Sequence, residues 1–167
     1  MKTSNARRAV QVVLAAGVAV GAAQESLADD IFLSIPGIPG ESVDSKHKDD
    51  IDVASYSQSL DEKQCPQVSI SKRVDKSSPP LAEAIGEKSA IPSATLVVRR
   101  SGFKDSVEYI KLTMSYVTVL RSEQAVGQGS SAEEVTLSAR SITMNYISTN
   151  ADGSPGKVVS GTVMCKK

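Results

Sequence analysis

The chain of 167 residues has no tryptophan, two phenylalanines and four tyrosines. It therefore offers no aromatic platform on which sugars or bases could stack. It has one histidine, His47, so a Ser-His-Asp or Cys-His catalytic arrangement would have to be built around a single position in a charged stretch. No strand-turn-helix elbow holds a serine, and no glycine-rich phosphate loop occurs. A metal centre has little to draw on, because no short cysteine spacing accompanies the one histidine. Asp49, Asp50 and Asp52 form a small acidic run, which reads as a solvated face rather than a carboxylate pair or calcium loop. Excess charge of one sign is also missing, with 19 basic against 19 acidic side chains. Nucleic acid and anionic lipid are poor partners for such a balance. These absences predict a non-enzymatic protein with no cofactor and no metal.

No hydrophobic run reaches the ~20 residues a spanning helix needs. The longest stretch, Val12 to Ala23, follows a cationic start of Lys2, Arg7 and Arg8 and meets no acidic side chain before Glu25. Small residues close it at Gly21-Ala22-Ala23 and again at Ser26-Leu27-Ala28. The pattern predicts a cleaved export leader over residues 1–28, cut after Ala28 or after Ala23, with no stable membrane anchor afterwards. The pair Arg7-Arg8 raises the twin-arginine route, but Ala6 and Ala9 match its motif poorly. Cleavage after Ala28 removes three basic residues and one acidic residue, leaving 16 basic against 18 acidic in one domain over residues 29–167. The exported chain is expected in the periplasm or outside the cell.

Cysteines are as scarce as aromatics: Cys65 and Cys165 are the pair, 100 positions apart. In an oxidising compartment a disulfide is the expected state, two separate buried thiols being the alternative. Closing so long a loop is worth ~4–5 kcal/mol on the chain-entropy account.

What the sequence has in quantity is apolar residues at every second position, the signature of strands. Ile31, Leu33 and Ile35 alternate until Pro36-Gly37-Ile38-Pro39-Gly40 ends the ladder. Glu41 to Asp50 is polar apart from Val43 and reads as an exposed loop. Further strands are expected over Ile51–Gln58, Val68–Val74, Thr95–Arg100, Val107–Leu120, Val135–Ser148 and Val158–Cys165, with a hairpin at Ser101-Gly102 and turns at Gly127–Ser131 and Asn150–Gly156. One helix of about two turns is expected after Ser78 as N-cap, with Pro79 and Pro80 in its first turn and Gly86 as its stop. Between Val107 and Leu120, Ile110, Leu112, Met114, Tyr116 and Leu120 share one face, and Lys111, Thr113 and Ser115 the other. In the next strand the apolar phase passes from Val135, Leu137 and Ala139 to Ile142, Met144 and Tyr146, which predicts a bulge near Arg140 and Ser141.

A family likeness runs through these segments in order. It begins at Asp30-Ile31-Phe32-Leu33-Ser34-Ile35 and continues through Gly40-Glu41-Ser42, His47-Lys48-Asp49-Asp50-Ile51-Asp52-Val53 and Ser69 to Leu81. Val107 to Leu112, Glu134 to Leu137 and Asn150 to Gly153 follow. The chain resembles the haemolysin-coregulated protein (Hcp) family, the tube subunits of type VI secretion systems. The resemblance implies a mainly β fold, a small two-sheet β-barrel with one short α-helix. It also implies association with copies of itself into a hexameric ring, stacking of rings, and a lumen that could hold a small protein cargo. The loop residues Gly40, Glu41, Ser42, His47, Lys48, Asp49 and Asp50 match the family's extended loop, which reaches out to a neighbouring subunit or ring. With the leader and the cysteine pair, the likeness implies an Hcp-type fold used in the envelope or outside the cell. A monomeric exported binding module on the same barrel is the other reading.

Overall fold

The computed structural model describes residues 29–61, 64–86, 90–100, 107–150 and 154–165. The leader, the hairpin residues at Ser101-Gly102 and the centre of the Asn150–Gly156 turn lie outside the described residues. Among the described residues seven strands and one helix follow in the order β1 (Asp29–Ser34), β2 (Ile51–Ser59), β3 (Gln67–Lys72), α1 (Ser78–Gly86), β4 (Ile91–Arg100), β5 (Val107–Gly127), β6 (Ser130–Thr149) and β7 (Pro155–Met164). Every pairing is antiparallel, in the order β3-β2-β1-β4-β5-β6-β7, and β3 also pairs with β6. That extra ladder, from Gln67↔Ser138 to Lys72↔Glu133, closes six strands into a ring. The expected small barrel forms, with its strands hydrogen-bonded continuously around rather than divided into two separate sheets. Closure leaves β7 outside the ring, along the far half of β6.

The period-2 alternation seen in the sequence fills the interior. Leu33, Ile51, Val68, Ile70, Leu96, Leu112, Met114, Val135 and Leu137 have almost no solvent exposure and form one core with Leu81 of α1. Burying side chains of this size contributes about 1.5–3 kcal/mol each relative to leaving them in water.

The apolar phase of β6 flips where expected, but without an inserted residue. The β5–β6 register is the same on both sides, Ser115↔Ser141 and Val117↔Ala139. Instead both strands flip together: β5 passes from buried Leu112 and Met114 to buried Val117 and Val119, and β6 from Ala139 to Ile142. The turning point is Tyr116, whose φ is 51°, a left-handed conformation uncommon for a bulky residue. Tyr116 is thereby turned out of the face it was assigned to, 60% exposed, with the Arg140 guanidinium 5.7 Å from its ring centroid. Leu120 is also exposed, because after the flip Val117 and Val119 take the inward phase and Leu120 falls in the outward one, at a register shift between Val119 and Arg121. β5 and β6 then run on past the end of β3 to a turn at Gln128-Gly129, so the strand expected to stop at Leu120 reaches Gly127.

Helix α1 starts and stops within the expected bounds, yet Ser78 is not its cap. The Leu81 N–H donates to the Ser77 carbonyl, which makes Ser77 the capping position. Asp75 Oδ1 accepts the Ser77 N–H at 2.9 Å. Pro79 and Pro80 bring no N–H, so the first turn has fewer donors to satisfy. The Ser78 hydroxyl is left for a different use.

Candidate functional site

Gly40 to Asp50 leaves the barrel between β1 and β2 and is closed at its base by its own backbone. The Gly40 N–H donates to Asp49 O at 2.8 Å, the Asp49 N–H to Ser42 O at 2.9 Å and the Ser42 N–H to Asp50 O at 3.1 Å. Glycine is required at position 40 by this approach, since a Cβ there would lie 2.3 Å from Asp50 O and 2.4 Å from Ile51 Cα. Asp49 takes φ 61°, a conformation that aspartate tolerates better than most residues.

The loop is less exposed than its composition suggests. His47 is buried and stacks on Phe32 of β1, with ring centroids 4.2 Å apart and planes 7° from parallel. Its Nδ1 lies 3.0 Å from Asp50 Oδ2 and its Nε2 3.3 Å from Glu108 Oε1 on β5. Phe32 is buried but stands apart from the barrel core, so the loop covers an apolar spot on the outer wall. Arg99 of β4 completes the anchor, with its guanidinium 4.9 Å from the Phe32 centroid, 2.9 Å from Asp30 Oδ2 and 2.7 Å from Asp44 Oδ2. The Arg99 hydrogen bond holds the Asp44 carboxyl well below the usual carboxylate range, and Asp44 in turn pushes Arg99 up. Asp44 Oδ1 also accepts the N–H groups of Lys46 and His47 at 2.9 and 3.2 Å.

This corrects the reading of a freely projecting charged arm. Ser42 and His47 are buried, and Asp50 is turned inward by His47. Glu41, Lys48 and Asp49 remain on the outside, along with Val43, which is 96% exposed. Glu41 Oε1 accepts the Lys76 N–H, and Lys76 Nζ donates to Asp49 Oδ1 at 3.0 Å, which draws Asp49 below its ordinary value. Asp49 and Asp50 thus have different partners and do not converge. The anchoring partners Phe32, Arg99 and Glu108 are remote in sequence and carry no local signal.

The outer rim is a second surface. On one face of β5, β6 and β7 the side chains are polar in rows set by the register: Lys111, Asn145 and Ser160; Thr113, Thr143 and Thr162. Hydrogen bonds knit the rows, with the Ser160 hydroxyl donating to Asn145 Oδ1 at 2.6 Å and the Thr143 and Thr162 hydroxyls 2.9 Å apart. The opposite face continues the core pattern past the closed ring: Ile110, Tyr146 and Val159; Met114, Ile142 and Val163. There the cover runs out, and Val159 is 65% exposed and Tyr146 42%.

Cys65 and Cys165 are joined in a disulfide. It ties the β2–β3 connection to the end of β7.

A buried ionic cluster went unread in the sequence. Lys72 Nζ lies 2.8 Å from Glu133 Oε2 and 2.7 Å from Asp75 Oδ1, and donates to Ser78 Oγ at 3.0 Å. The Ser78 hydroxyl bonds Glu133, and the Ser122 hydroxyl donates to Glu133 Oε1 at 2.7 Å. Burial pushes the Glu133 carboxyl up, but the hydrogen bonds from Lys72, Ser78 and Ser122 outweigh it and leave it below its ordinary value. The cluster is enclosed and fully bonded, so it locks β3, α1 and the β5–β6 hairpin together rather than presenting chemistry to a ligand.

Residues 32–146 match the family described as type VI secretion system effector, Hcp. Over 143 residues the chain is 29% identical to Protein hcp1 of Pseudomonas aeruginosa, covering 76% of this chain and 88% of that protein. Among solved structures, Hcp1 from Salmonella typhimurium matches with a TM-score of 0.72 at 30% identity, covering 83% of this chain and 95% of that one. A type VI secretion system effector from Yersinia pestis matches with a TM-score of 0.70 at 26% identity, covering 81% and 99%.

Proposed function

Since this chain belongs to the type VI secretion system Hcp family, we propose that it is a non-enzymatic structural protein of the tube-subunit kind, exported by its leader and acting by self-assembly into hexameric rings. The observation that carries this reading is the uncovered apolar strip on β6 and β7. Tyr146, Val159 and Val163 continue the barrel's core face where, among the described residues, no further strand pairs with β7 to extend the cover. Exposed apolar surface of this kind marks an interaction site, and a head-to-tail contact repeated around a closed ring would cover it in every copy. The polar rows through Lys111, Thr113, Asn145 and Thr162 would then face a water-filled lumen able to hold a small protein cargo. The outward residues of the loop, Glu41, Val43, Lys48 and Asp49, are the proposed contacts to the next subunit or ring. Gly40, Ser42, His47 and Asp50 set the loop's shape behind them.

Sedimentation of the purified protein tests this. A uniform particle of six subunits is expected, and Val159→Lys should dissociate it while leaving the barrel folded. A monomer at micromolar concentration would overturn the ring and favour the second reading, an exported monomeric binding module, to which the disulfide is equally suited.

A further inference from the structure

We propose that the Cys65–Cys165 disulfide is a redox latch on β7, and that self-assembly depends on its being closed. The inference rests on the self-assembly reading above. β7 is an edge strand: among the described residues it pairs only with β6, through Ser141↔Met164 to Thr149↔Pro155. Nine of its ten residues are exposed, so burial contributes little to keeping it ordered. After Pro155 and Lys157 at its start, the rest of it, Val158 to Met164, has no charged residue and no proline, the devices that usually protect a free edge from pairing. A strand of this kind is suited to being covered, but it is weakly held until it is.

The disulfide sits where it can supply the missing hold. Along its edge β6 changes partner, from β3 over Glu133 to Ser138 to β7 from Ser141 onward. At that junction the Ala139 N–H donates to Pro66 O at 3.0 Å and the Cys165 N–H to Arg140 O at 2.7 Å. Two successive residues of β6 thus bring the two cysteine-bearing segments side by side, with Cα atoms 4.2 Å apart. The bond fastens the end of β7 to the closed ring. With the latch closed, β7 is ordered before a partner arrives, which removes an ordering cost from association. With it open, one ladder to β6 remains and the strand can open locally while the barrel stays folded.

An open groove is lined by Tyr116, Arg140 and Met164 together with the two half-buried cysteines. A dithiol reductant can therefore approach. It transfers two electrons and two protons, the S–S bond breaks, both cysteines become thiols, and the dithiol leaves as its own cyclic disulfide. Reoxidation by a disulfide-bearing oxidant reverses the exchange.

The test measures amide hydrogen exchange and sedimentation on the same samples: oxidised protein, protein held in excess dithiothreitol, and the Cys65→Ser/Cys165→Ser double variant. On opening the latch, amides of Val158 to Met164 should exchange ~10-fold faster or more while β1 to β5 keep their protection. Association should weaken ~10-fold or more in parallel. Unchanged β7 protection, or loss of protection throughout the barrel, would overturn the latch. Oxidised protein that stays monomeric counts against self-assembly itself, whereas rings indifferent to dithiothreitol count against the latch alone.

Discussion

The Lys72 ammonium lies 2.8 Å from the Glu133 carboxylate, and neither side chain is exposed to solvent. Charges this deep are stable only as a bonded set, because each has given up its hydration. Lys72→Met leaves Glu133 with hydroxyl donors and no opposite charge, and should cost about 3–5 kcal/mol. Lys72→Met with Glu133→Leu removes both charges and should cost less than the single change. Urea unfolding of the three proteins decides it. Equal losses in the single and double variants would mean that the charge pair is not what holds β3 to β6.

The same carboxylate sets a pH dependence whose sign follows from its folded state. Glu133 is held below its ordinary value by hydrogen bonds that together outweigh burial, and Asp44 is held low chiefly by the Arg99 hydrogen bond. A lowered folded value means that the contribution is complete above the unfolded value, ~4 for these groups, and is lost as pH falls through the folded value. The melting temperature should be flat from neutral pH to about pH 5 and decline below it. In Glu133→Gln that decline should be shallower. A Glu133→Gln profile parallel to wild type across pH 2 to 6 would remove Glu133 from the account.

The strands around Ile31, Ile51 and Val68 were legible because one face meets the core and the other meets water, which writes a period of two into the chain. The long hairpin was legible only to Leu120. Beyond it the register shift puts Ser122 and Gln124 opposite Val135 and Glu133, where their side chains bond the buried Glu133 carboxylate instead of filling the apolar core, so no apolar alternation is left to read. Lys72 and Glu133 did carry a signal: each continues the buried phase of its strand, after Val68 and Ile70 and before Val135 and Leu137. Opposite charges in core phase on two strands point to a buried pair. His47 offered none, since its burial depends on Glu108, 61 residues away.

Gly40→Ala tests whether the closed loop base matters. The new methyl would meet backbone atoms of Asp50 and Ile51 at 2.3 and 2.4 Å, and backbone cannot rotate aside as a side chain can. The loop base must open, at a cost of roughly 1–3 kcal/mol, and assembly should weaken with it. Gly127→Ala is the control, because a Cβ there meets nothing nearer than the Ser130 hydroxyl at 4.0 Å. Thermal unfolding should separate the two variants. Equal midpoints would show that the loop yields freely and that its closed base is not a constraint.

His47→Ala asks what orders the outward face of the loop. The ring covers Phe32 and stands between Asp50 and Glu108, so its loss uncovers an aromatic face and leaves two carboxylates without their shared partner. The barrel core does not include His47, and global stability should fall by no more than about 1–2 kcal/mol. The local effect should be larger: the amides of Ser42 and Asp49, which close the loop base, should exchange faster. His47→Phe separates the two contributions, since it keeps an aromatic face over Phe32 and removes both contacts to carboxylates. Restored protection in His47→Phe assigns the order to stacking, and protection as low as in His47→Ala assigns it to Asp50 and Glu108. If Ser42 and Asp49 stay as protected in His47→Ala as in wild type, Arg99 and Asp44 hold the loop by themselves and the buried ring is dispensable.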